Sequence, residues 1–365
     1  MEGDHALRGE AFDFTKTPDK GGGTLAEITH GQPVADWLKK LLAQEDEIVR
    51  MTGFMRLLDA LETPEQIQEA LAVVLHREGG SSRSREFRML LQKWAQLNPA
   101  DAMKYTQEIK DGGNKYEGSR TVLTTWMRQS AQEAIGWAEK NGGNEDEKEG
   151  NWAMSIIVSQ LSKTDVDWAL RLALAQGVSR ARGRTLDSLV PALMAQKGDA
   201  AAREIALNLP DQSLRDAMIA QLAGRLADRD PQGTAAWVSG LPPGDMRKRA
   251  FSAYVGELSR KDPVAAAGFL ERQPASPETD DSRAILAYNV LRKDPESAMA
   301  WAGSITDEQG RAETVAKLIE SWLRRDGDTA KKWITASPLP EDMKAKYLTA
   351  PAPTSDRKSS GRGGR

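Results

Sequence analysis

The chain has 365 residues, a formal net charge of −3, no cysteine and three histidines. Such a length predicts two or three globular domains or one long repeat array, and the balanced charge excludes a global basic field for nucleic acid or an anionic membrane. Without cysteine there can be no disulfide, thiolate metal site or cysteine nucleophile.

Residues 1–27 are polar and Gly-rich, with the run PDKGGGT, and are predicted to be flexible. The start MEGDHALRGE has neither a basic nor an apolar signal-peptide region, so the chain as written reads as cytoplasmic. A processed or re-initiated export protein would read the same way. No apolar run approaches the roughly 18–20 residues that span a bilayer, so no membrane insertion is expected. His5, His30 and His76 show no metal-ligand spacing.

From the middle of the first hundred residues onward the chain repeats. Anchors at Asn98, Ser130, Asp165, Gly198, Asp230, Asp262, Asp294 and Asp326 are separated by 32, 35, 33 and then four times 32 residues. Two fainter copies precede them, one near Thr63 and Pro64 and one ending at Trp37. The seventh residue after each anchor is large and apolar: Tyr105, Trp137, Leu172, Ile205, Trp237, Phe269, Trp301 and Trp333. The fourth is small: Ala102, Ala134, Ala169, Ala202, Thr234, Ala266, Ala298 and Ala330. Before each anchor, the eighth and fourth preceding residues are apolar in every copy, as in Leu286 and Val290 or Leu318 and Trp322.

Each copy reads as a helical hairpin. An Asp, Asn or Ser anchor is a good N-cap, and Pro99, Pro231, Pro263 and Pro295 occupy the first helical position, where a missing N–H costs nothing. The first helix ends at turn-rich stretches such as NLPDQ and LPPGD, and a second helix runs to the next anchor. Neither helix can bury its apolar stripe alone, so neighbouring hairpins must stack. The expected fold is therefore all-α, a right-handed α-solenoid of about eight to ten hairpins over residues 28–348 with a period near 32, followed by a flexible basic tail at 349–365. Trp137, Trp237, Phe269, Trp301 and Trp333 are expected to bolt the stack, with Trp237→Ala costing roughly 3–5 kcal/mol. The runs of small residues in the first helices predict close approach of adjacent first helices and no deep groove between them.

On these residues, above all Pro295 and Trp301 in DPESAMAW, the chain resembles the tetratricopeptide-like class of α-solenoids. It departs from that class in period and lacks the Leu-Gly and Tyr of its first helix. It looks closer to bacterial Trp-rich repeats of the form DPxxAxxW, which often occur in exported proteins. The resemblance covers about residues 28–348 and implies a scaffold for protein partners, with no catalytic residues to carry over.

Two hairpin loops stand out. NGGNEDEKEG at 141–150 carries Glu145, Asp146, Glu147 and Glu149, and the next loop, QGVSRARGR at 176–184, carries Arg180, Arg182 and Arg184. Both are expected on one edge of the array, where they either form the partner-binding site or neutralise each other. A basic residue also recurs fifteen before the anchor, at Arg83, Lys115, Arg215, Arg247 and Arg311, with Arg184 one position off. The helix dipole disfavours a cation there, so these side chains either bond carbonyls of a neighbouring loop or grip an anionic partner. Asp280 and Asp281 read as a solvated pair in a Pro-flanked loop. No phosphate loop, nucleophile elbow or calcium loop occurs, and the single Arg-Gly-Gly of the tail is a weak RNA-binding signal. The expectation is a non-catalytic scaffold for one or more proteins, with no cofactor and no metal. The alternatives are an anion or nucleic-acid binder using the basic row, and a hydrolase with acids paired across helices.

Overall fold

The computed structural model describes residues 23–76, 85–143, 146 and 148–349; among these residues there are helices and no strand. The fold is all-α. Two compact units divide the chain, Met1–Leu189 and Val190–Arg365. The first begins with α1 (Leu25–Thr29), α2 (Val34–Leu42), α3 (Glu47–Ala60), α4 (Pro64–His76) and α5 (Arg85–Leu97). It continues with α6 (Pro99–Glu108), α7 (Gly112–Gln129), α8 (Ala131–Asn141), α9 (Trp152–Leu161) and α10 (Val166–Ala175). The boundary between units falls inside α11 (Arg180–Lys197). Then come α12 (Asp199–Leu207), α13 (Gln212–Ala227), α14 (Pro231–Ser239), α15 (Asp245–Lys261) and α16 (Pro263–Glu271). The second unit closes with α17 (Pro277–Val290), α18 (Pro295–Gly303), α19 (Glu308–Arg325), α20 (Gly327–Ala336) and α21 (Glu341–Thr349).

The expected flexible end at 1–27 is corrected at its last residues, which form α1. Thr24 caps that helix, its amide donating to the Glu27 carboxylate at 2.7 Å while its hydroxyl accepts from the Glu27 amide. Residues 1–22 and 350–365 lie outside the described part.

All eight anchors are N-caps, seven of them with a side-chain hydrogen bond. Asn98, Ser130, Asp165, Asp230, Asp262, Asp294 and Asp326 each accept from the amide three residues on, at 2.8–3.3 Å. Gly198 has no side chain to offer and turns the chain at φ +84°. Each cap contributes about 0.5–2 kcal/mol.

The fourth residue after every anchor is fully buried, and so is the eighth: Thr106, Ala138, Ala173, Ala206, Val238, Leu270, Ala302 and Ile334. The seventh is not. Phe269 is buried, but Trp137, Trp237, Trp301 and Trp333 are only half-buried. On a helix the fourth and eighth residues lie one above the other at the centre of the packed face, and the seventh lies at its edge. From that edge the rings reach back to the helix before the anchor. Trp94 meets Tyr105 at 5.0 Å, Trp126 meets Trp137 at 6.1 Å and Trp322 meets Trp333 at 5.7 Å between centroids. Phe269 is enclosed edge-on by Phe251 and Tyr254.

In the second unit the longer helices carry the close packing from copy to copy: α13 lies on α15, α15 on α17, and α17 touches α19. Each short helix packs on its long neighbours, α14 on α13 and α15, α16 on α15 and α17, α18 on α17 and α19. Small residues at the fourth position therefore seat the short helices against the long ones. They do not bring short helices closely onto one another, so the expected close approach of adjacent first helices is corrected.

Partial burial lowers the expected cost at Trp237. Phe269→Ala should destabilise by about 3–5 kcal/mol and Trp237→Ala by about 1–3 kcal/mol in thermal or urea melts. A larger loss at Trp237 than at Phe269 would contradict this placement of the packed face.

Candidate interaction site

The acidic and basic loops close on each other. Arg180 and Ala181 donate their amides to the carbonyls of Lys148 and Glu149 at 2.8 and 2.9 Å. The Glu149 carboxylate pairs with the Arg180 guanidinium and lies 3.7 Å from that of Arg184. Gly150 makes the approach feasible: it has φ +73°, and a Cβ there would stand 2.2 Å from Ser179 Oγ. Asp146 is exposed and accepts from the Lys148 amide at 2.9 Å. Glu145 and Glu147 lie outside the described residues. Arg182 is buried, and its guanidinium donates to the Gln176 carbonyl at 3.2 Å.

That bond recurs at three members of the basic row, while Lys115 shows none of this kind and Arg83 lies outside the described residues. Arg215 donates to Leu209 O at 3.2 Å, Arg247 to Leu241 O at 3.4 Å and Arg311 to Ile305 O at 2.7 Å, each reaching six residues back. The carbonyls belong to the arginine's own hairpin loop, not to a neighbouring one as expected. They offset the unfavourable helix dipole that the sequence flagged. The member of the row in the third copy is Arg182 instead of Arg184, because the spacing to its next anchor is one residue longer. Arg247 also pairs with Glu278 at the start of the next long helix, and Lys248 lies 3.2 Å from Asp281.

Asp280 and Asp281 are helical, not a loop. Pro277 opens α17, and the Ser276 amide donates to Thr279 Oγ1 at 3.2 Å. Asp280 is buried, its carboxylate accepting from the Thr306 amide at 2.8 Å, the Thr306 hydroxyl at 2.7 Å and the Asp307 amide at 2.9 Å. Burial alone works against its charged form, but these donors and the charge of Arg283 outweigh it and hold the carboxyl below the usual carboxylate range. Arg283 is buried beside it, donating to Ser304 Oγ at 3.0 Å and lying 5.6 Å from the Trp301 ring centroid. An acid with three donors and a depressed pKa fixes the loop before α19; it is poorly suited to deliver a proton. Among the described residues no group of three or more His, Asp or Glu is placed to hold a metal, and no helix is long and apolar enough to cross a membrane.

The open feature of the second unit is a groove of about 410 Å³ between α16 and α18. Val264 and Ala267 line it from α16, Trp301 from α18, and Leu286 and Val290 from α17, with Arg260, Arg292 and Lys293 also in its wall. Asn289 Nδ2 donates to Ser259 Oγ at 2.7 Å within the same wall. Val264 is 80% exposed, an unusual position for a bare valine. Two copies earlier the corresponding space is filled. Arg203, fifth after its anchor, lays its guanidinium 4.9 Å from the centroid of the Trp237 ring. Ala267 is the fifth residue after the anchor Asp262; its methyl group leaves the α16 side of the space empty, and the guanidinium near Trp301 is that of Arg283 on α17.

A larger cavity of about 600 Å³ lies between α2 and α4 in the first unit, lined by apolar residues with Lys39, Glu69 and His76. Its charges oppose one another, and Glu69 already accepts from the Ala35 amide at 2.8 Å.

No family model matches the chain, and neither the curated proteins nor the solved structures give a significant match.

Asp280 generates a pH-dependent prediction. A depressed folded pKa stabilises the fold above the unfolded value of about 3.9, and that stability is lost as pH falls through the folded pKa. Asp280→Asn should cost on the order of 1–3 kcal/mol at neutral pH, and its melting curve should converge on that of the wild type as the pH is lowered below about 4. A gap that holds or widens in acid would show that the carboxylate charge is not what stabilises this loop.

Proposed function

We propose that the chain is a non-catalytic scaffold for protein partners, built as a right-handed α-solenoid of tetratricopeptide-like hairpins. The repeated caps, the small buried residues at the fourth position and the copy-to-copy packing of the long helices in the second unit support the repeat reading. The observation that carries the function is the groove beside Trp301, where a half-buried indole and an exposed valine stand open to solvent. The loops at 141–184 have weaker support as the docking place, since Glu149, Arg180 and Arg184 are engaged with one another. A nucleic-acid reading has less support for a similar reason: Arg182, Arg215, Arg247 and Arg311 donate to loop carbonyls. A hydrolase reading gains no support from Asp280, whose carboxylate is engaged by Thr306 and Asp307.

Site-specific photo-cross-linking tests the scaffold. A benzophenone amino acid at Val264 should yield a defined protein adduct in native cells, and the same group at Ile48, equally exposed at 78% in the other unit, should not. Failure to form an adduct at Val264, or identical adducts from both positions, would remove the groove as the docking site.

A further inference from the structure

The interaction reading above underlies a more specific inference, which concerns what the groove binds. We propose that the α16–α18 groove takes an acidic polypeptide segment in which an apolar side chain is flanked by carboxylates. The apolar half is the half-buried Trp301 with Val264 and Ala267: Arg283 of α17 lies 5.6 Å from the ring centroid, and on the α16 side the three leave a shallow recess for one large side chain. Its volume lies within the roughly 300–1,000 Å³ typical of ligand clefts.

The charged half is the imbalance of the wall. Arg260, Arg292 and Lys293 face a single acid, Asp294. Both oxygens of Asp294 are already used, one accepting from the Ser297 amide at 3.0 Å and the other from its hydroxyl at 2.6 Å. Those bonds hold its carboxyl below the ordinary range, so it remains a fixed anion engaged with its own helix. Arg260 pairs with Glu257, whereas Arg292 and Lys293 form no ion pair among the described residues. Two cations beside an apolar recess match an acidic chain with one apolar anchor, and their attraction raises its association rate.

A phosphate ligand fits less well. The first turn of α18 is closed by its own Asp294 cap, so its amides are not offered to an anion. A nucleic acid would also need a wider basic field than two side chains on a chain of net charge −3.

Fluorescence anisotropy on the full chain tests the proposal with four labelled probes. These are an acidic peptide with a central leucine, the same peptide with serine for leucine, a version with lysine for every acid, and a short oligouridylate. The acidic leucine peptide should bind the wild type most tightly, and by at least about tenfold over the serine version. Raising the salt should weaken it. Ala267→Met fills the recess without adding charge, as Met103 stands at the fifth position of the first copy, so it should reduce binding by about tenfold or more while the melting temperature holds. Should that variant melt lower, Lys293→Glu, on an exposed side chain, must show the same loss.

Equal binding of the acidic leucine and serine peptides, undiminished binding by both variants, or preference for the lysine peptide or the oligouridylate would overturn the proposal. Absence of all binding alongside an intact cross-link from Val264 would overturn the acidic ligand and leave the scaffold standing. Absence of both would remove the two together.

Discussion

Short first helices cannot stand alone, and much of the second unit follows from how they are held. α14, α16 and α18 are nine residues each, below the roughly 12–15 at which an isolated helix becomes even marginally stable. Each is fixed at its start by an aspartate cap and along its length by two small or medium residues with no exposed surface, such as Ala298 and Ala302. An alanine there buries little area, so its role is to let the backbone of the short helix close onto the long helices beside it. The long helices carry the bulky side chains, as in Leu318 and Trp322, and contact one another from copy to copy. The large ring at the seventh position then closes the seam from outside. Spacing, cap and side-chain size thus act together, and enlarging a single residue at the fourth position would force the two helix types apart.

Much of this was legible before any coordinate, and the misreadings have physical causes. Caps and apolar positions are set by local chemistry and helical period, which a sequence displays directly. The seventh residue was read as the centre of the core because it is the largest. Close-packed helices instead put their smallest residues at the centre, so size pointed to the wrong column, and only Phe269 has the burial expected of it. Asp280 was read as a loop residue because acids and prolines surround it, yet Pro277 stands at a helix start, where proline is at home. Its burial depends on the loop at Thr306, 26 residues away, and no local pattern announces that contact. Arg182 was passed over for Arg184 because its hairpin was counted back from the next anchor across an irregular spacing. Counting forward from Asp165 places Arg182 at the same step as Arg215, Arg247 and Arg311.

The charged features that first drew attention turned out to be mostly internal fixings. A guanidinium at the start of α11, α13, α15 or α19 is unfavourable against the dipole unless carbonyls receive it, and the hairpin loop six residues earlier supplies them. The insertion in the second copy brings Glu149 to Arg180 and Arg184 of the next loop and joins the two segments of chain by backbone hydrogen bonds as well as by charge. Prominent charge in this chain is therefore a poor guide to a docking site, because its hairpins need polar groups to tie off their own loops.

The groove beside Trp301 has the opposite signature: a position left small where an earlier copy carries a long side chain. Where Arg203 covers Trp237, a cation–π contact adds about 0.5–2 kcal/mol and fills the space beside the ring. At Trp301 the guanidinium comes from Arg283 of α17 instead, so the ring keeps a cation while Ala267 leaves the α16 side of the groove empty. Its fifth-position counterpart Ala235 precedes Phe269, which Phe251 and Tyr254 enclose. The alanine before Trp301 thus leaves a recess open, and Val264 and the unpaired cations of Arg292 and Lys293 stand beside it. Positions at which a chain departs from its own local rule are where functional constraints concentrate. In this chain the departure, the exposed valine and the charge imbalance fall within one cavity, which is why the search for its partner begins there.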